Sequence, residues 1–173
     1  MMTNRFRGAW RALRASLITL TLAAAPAVAQ ESGIAIGRAG PDAALETLDS
    51  KPIALLSVIG NRPVLIEFWA TWCSVCKELE PTLVAAQKKF GDRVTFVGVA
   101  VSANQSAERV RRYTAEHMIG FTHFYDRRGD GVAAYNVPAT SYIVVLDKSG
   151  TVVYTGVGEK QDIDAALTKA LRP

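Results

Sequence analysis

Val64-Leu65-Ile66-Glu67-Phe68-Trp69-Ala70-Thr71-Trp72-Cys73-Ser74-Val75-Cys76-Lys77 contains both cysteines of the chain. The run from Val64 to Ala70, rich in β-branched and aromatic side chains, predicts a buried strand. Leu79, Leu83, Ala86 and Phe90 then recur at helical spacing, which predicts a helix over 74–90. The cysteines therefore fall where a strand turns into a helix. Unpaired backbone N–H groups and the positive end of the helix dipole stabilise a thiolate there and lower the pKa of the first cysteine. Two intervening residues also allow a reversible disulfide across the first helical turn. The pattern reads as thiol–disulfide chemistry.

Three other readings of the pair are weaker. Half of a zinc site needs further ligands, and His117 and His123 lie far outside zinc-finger spacing from Cys76. A c-type haem attachment needs His directly after the second cysteine, where this chain has Lys77. A structural disulfide normally closes a longer loop.

The N-terminal 29 residues read as a targeting segment. Arg5, Arg7, Arg11 and Arg14 form a basic region without an acid, and Ala15 to Ala25 is an apolar run ended by Pro26. Ala27-Val28-Ala29 is a small-residue cleavage site before Gln30. The apolar run is shorter than the ~20 residues that span a bilayer. An uncleaved anchor, lengthened by Ala27 to Ala29, is the alternative. No arginine pair is adjacent here and no cysteine follows the cleavage site. The general secretory route is thus favoured over a twin-arginine one, and lipid attachment at that site is excluded.

Taking residues 1–29 from the 173 leaves 144, the size of one compact domain. It also removes four of the 20 basic residues and none of the 16 acidic ones, so the mature chain is formally neutral. The isoelectric point near 9.2 belongs to the leading segment and gives no support for nucleic-acid binding. Arg111-Arg112 and Arg127-Arg128 read as solvated faces. An exported chain enters an oxidising compartment, where confining both cysteines to one motif suits a catalyst.

Along the chain, residues 30–41 are Gly-rich and polar, a flexible leader before a domain over 42–173. Residues 44–48 and 52–56 flank Asp49-Ser50-Lys51 as a small hairpin. After the strand 64–70 and helix 74–90 come a strand over 94–101, a helix capped by Ser106 and running to about His117, and a short strand over 121–125. Residues 129–135 suggest a helical turn, 141–147 and 151–157 a hairpin around Lys148-Ser149-Gly150, and Asp162 caps a final helix. This order predicts an α/β fold, a mixed sheet covered on both faces by helices. No internal repeat or second domain is visible.

With these residues placed, the chain resembles the thioredoxin superfamily and, within it, the exported TlpA/ResA-like branch. The resemblance covers roughly residues 42–171. It rests on Phe68-Trp69-Ala70-Thr71-Trp72-Cys73-Ser74-Val75-Cys76-Lys77, on Pro81, and on Val137-Pro138-Ala139-Thr140 before a strand. The helix–strand unit 106–125 matches the insertion that sets this branch apart. The family commonly has Pro before the second cysteine, and this chain has Val75, a departure that alters the redox potential.

The resemblance implies roles residue by residue. Cys73, nearer the helix dipole and more exposed, attacks the substrate disulfide, and Cys76, one turn in and more buried, resolves the mixed disulfide. Pro138 matches the family's cis-proline, and the backbone of Val137 pairs with substrate like an added strand. Trp72 lines the substrate surface, Trp69 is packing, and Pro81 kinks the helix. No cofactor and no metal is implied. The implied partners are protein disulfides and a membrane electron donor such as a thiol-reducing transmembrane protein, with the chain itself a monomer.

Glu67 stands out without the resemblance. It lies among Ile66, Phe68 and Trp69 in a strand covered on both faces, where an ionised carboxylate is costly. Desolvation raises its pKa and makes it a proton acceptor for Cys76 during resolution. Some family members carry an acid at this place. The alternative is a carboxylate reaching water at the strand edge. His117 and His123 read as packed or dipole-interacting histidines rather than ligands.

The leading function is an exported thiol–disulfide oxidoreductase that acts on protein disulfides through its own dithiol. The alternative is a copper-handling or metallochaperone module on the same fold, with Cys73, Cys76 and a histidine as soft ligands. Against it stand the cysteine spacing, one residue shorter than is usual in copper-assembly relatives, and the lack of Met-rich or His-rich tracts. A peroxiredoxin needs Thr or Ser three residues before its cysteine, where Ala70 precedes Cys73. Ser74-Val75 holds no cation to stabilise Cys73 as a strong oxidant would require. The insertion is also too small for a DsbA-like helical domain. Both lean towards a reductant, for which cytochrome c maturation is a common task in this branch.

Overall fold

The computed structural model describes residues 33–117 and 120–172, so the targeting segment read over residues 1–29 lies outside the described residues. The predicted strand is β3, Val64–Trp69, and every one of its residues is buried. It is central. On one side it pairs in parallel with β4 (Thr95–Val101), and on the other antiparallel with β6 (Tyr142–Leu146). Beyond β4 lies β5 (Thr122–Asp126), parallel to it, followed by the antiparallel hairpin of β1 (Ala44–Thr47) and β2 (Pro52–Ala54). Beyond β6 lies β7 (Val152–Val157). The sheet is seven-stranded, in the order β2-β1-β5-β4-β3-β6-β7.

Alternation along β3 divides the core. Ile66 and Phe68 pack with Val97, Val99, Tyr135 and Tyr142 on one face. Leu65 points to the other, under α1 (Ser74–Phe90) and α4 (Ile163–Ala170), where Leu79, Leu83, Phe90 and Leu167 cover it. Period-two alternation puts Glu67 and Trp69 on this second face as well. Trp69 joins the cysteines and Val110 of α2 (Ala107–Glu116) in a third apolar cluster. The short α3 (Asp130–Ala134) lies on the first face, where Gly131 approaches Leu45 and Phe68.

The mixed α/β sheet, the N-terminal hairpin and the helix–strand insertion all appear, with boundaries moved by a residue or two. The helix over 74–90 has the predicted bounds and runs on through Pro81. Ser106 caps α2 by accepting from the Arg109 N–H, and Asp162 caps α4 by accepting from Ala165 N–H. One expectation is corrected. The Gly-rich leader is docked from Gly33 onward. Ile34 N–H donates to the Tyr142 hydroxyl at 2.9 Å, Gly37 N–H donates to the Val152 carbonyl, and Val152 N–H at the start of β7 donates to the Arg38 carbonyl. Composition favours flexibility there, but these bonds pair the outer edge of β7 at Val152.

Candidate active site

The chain leaves β3 at Trp69 and enters α1 at Ser74, and the intervening loop is tied down from both sides. Cys73 N–H donates to the Ala70 carbonyl at 3.1 Å, and Thr71 N–H donates to Gln105 Oε1 at 2.9 Å. Gln105 in turn donates to the Val101 carbonyl at 2.5 Å and accepts, through its own carbonyl, from the Tyr125 hydroxyl at 2.7 Å. Trp72 Nε1–H donates to the Ala103 carbonyl at 2.7 Å, and the indole is 44% exposed. The loop after β4 thus anchors the cysteine loop.

Cys73 is the N-cap of α1, and its sulfur accepts from Cys76 N–H at 3.0 Å. The first turn carries no acidic residue to oppose a negative sulfur. Cys73 and Cys76 are joined in a disulfide with Cα atoms 5.3 Å apart. The expected difference in exposure is absent. Both residues are 5% exposed. With the two sulfurs bonded, they share one small surface, and what separates the cysteines is the helix-end position of Cys73.

Glu67 is 6% exposed and stands under the first turns of α1. Burial, reinforced by the Glu80 carboxylate, pushes its pKa up to about 8. The reading of a strand-edge carboxylate is set aside by this burial. Glu67 borders a cavity of about 20 Å³ together with Cys76, Lys77, Glu80, Tyr113 and His123. That is room for one water molecule. The helix therefore brings the second cysteine and the buried acid to one space.

Pro138 and Val137 lie in the connection between α3 and β6. Phe68 stands opposite Tyr142, so this connection reaches the same end of the sheet as the cysteine loop. The expected cis bond is corrected: there is no cis peptide among the described residues. The change of chain direction is taken instead by Asn136 and Ser141, both in the left-handed region at φ 47° and 63°. Val137 N–H is engaged by the Val132 carbonyl at 3.0 Å. Pro138 is exposed and Val137 half-buried.

The histidines separate. His117 stacks on Tyr113 at 3.9 Å and stands 3.9 Å from Glu80 through Nδ1. His123 is buried between Trp69 and Phe121, and burial lowers its pKa to about 4. Among the described residues no group of three or more His, Cys, Asp or Glu is placed to hold a metal ion. In the sequence alone His123 reads as packing, and Gln105 and Glu80 do not stand out. A signal for His123 was available in Gly98, since glycine inside a strand marks a close approach.

Comparison with known proteins gives a consistent result. The Redoxin family model matches residues 35–171. The thioredoxin-like protein YneN of Bacillus subtilis is 31% identical over 141 residues, covering 80% of this chain and 82% of that one. The thiol-disulfide oxidoreductase ResA of Geobacillus kaustophilus is 28% identical over 149 residues, covering 83% and 82%. A crystal structure of a thiol:disulfide interchange protein of the thioredoxin family from Chlorobium tepidum superposes with a TM-score of 0.67 at 28% identity, over 80% of this chain and 99% of that one.

Proposed function

Since the chain belongs to the Redoxin family, with a thioredoxin-like fold and the activity of a thiol–disulfide oxidoreductase, we propose that it is exported and reduces disulfides in client proteins through Cys73 and Cys76. The observation that carries this reading is the shared cavity of Cys76 and Glu67 beneath a helix N-terminus that holds Cys73.

The reaction follows from that placement. In the reduced protein the helix end and the Cys76 N–H stabilise the Cys73 thiolate, which attacks one sulfur of a client disulfide. A Cys73–client disulfide forms, and the other client sulfur leaves as a thiolate that takes a proton from water. The Cys76 thiol then gives its proton to the Glu67 carboxylate. The resulting thiolate attacks Cys73 sulfur, closing the Cys73–Cys76 disulfide and releasing the second client thiolate. A carboxyl pKa near 8 lies close to that of a thiol, so neither direction of the proton transfer is steeply uphill.

Trp72, Val137 and Pro138 form the client-facing rim in this reading. The exposed indole supplies apolar contact, and the Val137 carbonyl, its N–H being engaged internally, accepts from client backbone. Export is supported by the basic, apolar and small-residue sequence of residues 1–29. The reductant direction is supported by the lack of a cation at Ser74-Val75. A membrane-bound thiol donor would then restore the dithiol, and the apocytochromes of cytochrome c maturation are a client class with reducible cysteines.

The test is the equilibrium redox potential against glutathione, beside an insulin-reduction assay. A potential more reducing than glutathione's, with insulin reduced, is expected. A potential in the range of strong oxidants, about −120 mV, would overturn the direction.

A further inference from the structure

Glu67, Gly98 and His123 stand in one row across three adjacent strands. Glu67 lies opposite Gly98 on β4, and Gly98 opposite His123 on β5. Residues opposite one another in a sheet present their side chains to the same face. Gly98 has none, and the imidazole fills the space above it. A Cβ at Gly98 would collide with His123 Nδ1 and lie 3.0 Å from Trp69 Nε1. Glycine weakens a strand interior, so the ring it admits accounts for the position.

The imidazole is held edge-on by Trp69 at 5.2 Å and stacked on Phe121 at 5.9 Å. Among the described residues neither of its nitrogens has a protein partner, and neither does the buried Nε1–H of Trp69. Glu67, Trp69, His123 and Cys76 all border the cavity of about 20 Å³. A space of this size with two to four polar groups around it is a site for one water.

We propose that His123 is a positioning residue for the resolving step: with Trp69 Nε1–H it fixes one water in this cavity, and that water carries the proton from the Cys76 thiol to the Glu67 carboxylate. The water accepts from the thiol and the indole, and donates to the carboxylate and to an imidazole nitrogen. In the step it takes the thiol proton while handing one of its own to Glu67. A thiolate and a protonated carboxyl result, and water and imidazole emerge unchanged. Burial keeps His123 neutral, so one nitrogen remains an acceptor. The other titratable or charged groups around the cavity are Lys77 and Glu80 from α1 and Tyr113 from α2, and Glu80 is faced by His117 at 3.9 Å.

This inference rests on Glu67 serving as the base for Cys76. The test mixes reduced protein with oxidised glutathione and follows formation and resolution of the Cys73–glutathione disulfide as separate phases, between pH 6 and 9. His123→Phe keeps the ring packing and is expected to slow resolution about tenfold, with its pH profile displaced and the first phase unchanged. His123→Gln, which keeps an acceptor, is expected to recover most of the rate. Combining His123→Phe with Glu67→Gln is expected to add nothing to the loss from Glu67→Gln alone. Wild-type resolution and pH profile in His123→Phe overturn the proposal, as does a loss that Gln does not restore or that multiplies fully with Glu67→Gln. Should His123→Phe not fold, Trp69→Phe is read by the same two outcomes, slow resolution or wild-type resolution. If Glu67→Gln itself resolves at the wild-type rate, the general-base reading falls and this one with it. If Glu67→Gln is slow and His123→Phe is not, this inference alone falls.

Discussion

Glu67 and Cys76 border one cavity of about 20 Å³, although the first comes from the middle of β3 and the second from the opening turn of α1. The carboxyl is protonated over much of the neutral range because it is buried and stands near Glu80. Glu67→Gln is therefore expected to slow resolution of a Cys73-linked mixed disulfide by about 10- to 100-fold, while attack by Cys73 on a small disulfide changes much less. In the wild type the resolution rate rises with pH as Glu67 ionises towards pH 8, and in the variant the rise that remains follows ionisation of the Cys76 thiol alone. Single-turnover quench measurements across pH 6–9 check both halves.

The two cysteines differ in position rather than exposure. Cys73 caps the helix and Cys76 lies one turn in. Cys76→Ser is expected to accumulate covalent client adducts, whereas Cys73→Ser accumulates few. Non-reducing electrophoresis after alkylation reads the outcome. Equal trapping by the two variants would reverse or abolish the assignment.

Trp72 presents an exposed indole beside Cys73 and is held by a bond to the Ala103 carbonyl. Trp72→Ala is expected to weaken turnover of protein disulfides several-fold, roughly 3- to 10-fold, with oxidised glutathione affected little. Stability is expected to fall by about 1–2 kcal/mol, since just over half of the residue is covered on folding and the bond to the Ala103 carbonyl is lost. Parallel assays with insulin and glutathione separate recognition from chemistry.

Much of this site is legible in the amino-acid sequence. Val64 to Trp69 could hardly be anything but a buried strand, and the apolar spacing from Leu79 to Phe90 fixed a helix directly after it, so the position of the cysteines followed. Glu67 was conspicuous because a charge among Ile66, Phe68 and Trp69 contradicts its surroundings. His123 was not, because its relation to Glu67 runs through strand pairing. Only the register Glu67–Gly98–His123 makes two residues so distant in sequence neighbours. The trans bond before Pro138 was equally hidden, since the left-handed turns at Asn136 and Ser141 that accompany it carry no glycine to announce them.

Gln105 holds the cysteine loop through two bonds, from Thr71 N–H and to the Val101 carbonyl. Gln105→Ala leaves the partly buried Thr71 N–H without its acceptor. A destabilisation of about 1–2 kcal/mol in denaturant unfolding is expected, with the cysteine loop loosened. The rate of Cys73 attack on oxidised glutathione is expected to fall with it, because the helix-end geometry depends on that loop. An unaltered rate would mean that α1 alone positions Cys73.

Glu67 and His123 also set opposite pH dependences of stability, best read in the disulfide form, where no thiol titrates. Glu67 has a folded pKa of about 8, above its unfolded value near 4.3, so the native state holds its proton longer and stability falls as pH rises between these values. His123 has a folded pKa of about 4, below its unfolded value near 6.5, so stability rises with pH across that interval. From about pH 4.3 to 6.5 the two slopes oppose and cancel, and from about 6.5 to 8 only the fall due to Glu67 remains, about 2 kcal/mol in all. Glu46, held low by Arg127, titrates below this window. Denaturant unfolding is therefore expected to show a flat region followed by a decline above pH 6.5. Glu67→Gln removes the decline and uncovers a rise from about pH 4 to 6.5, whereas His123→Phe gives one continuous fall from about pH 4.3 to 8. A wild-type protein whose stability climbs between pH 6.5 and 8 would contradict the raised pKa of Glu67 and, with it, the match between carboxyl and thiol on which the resolving step depends.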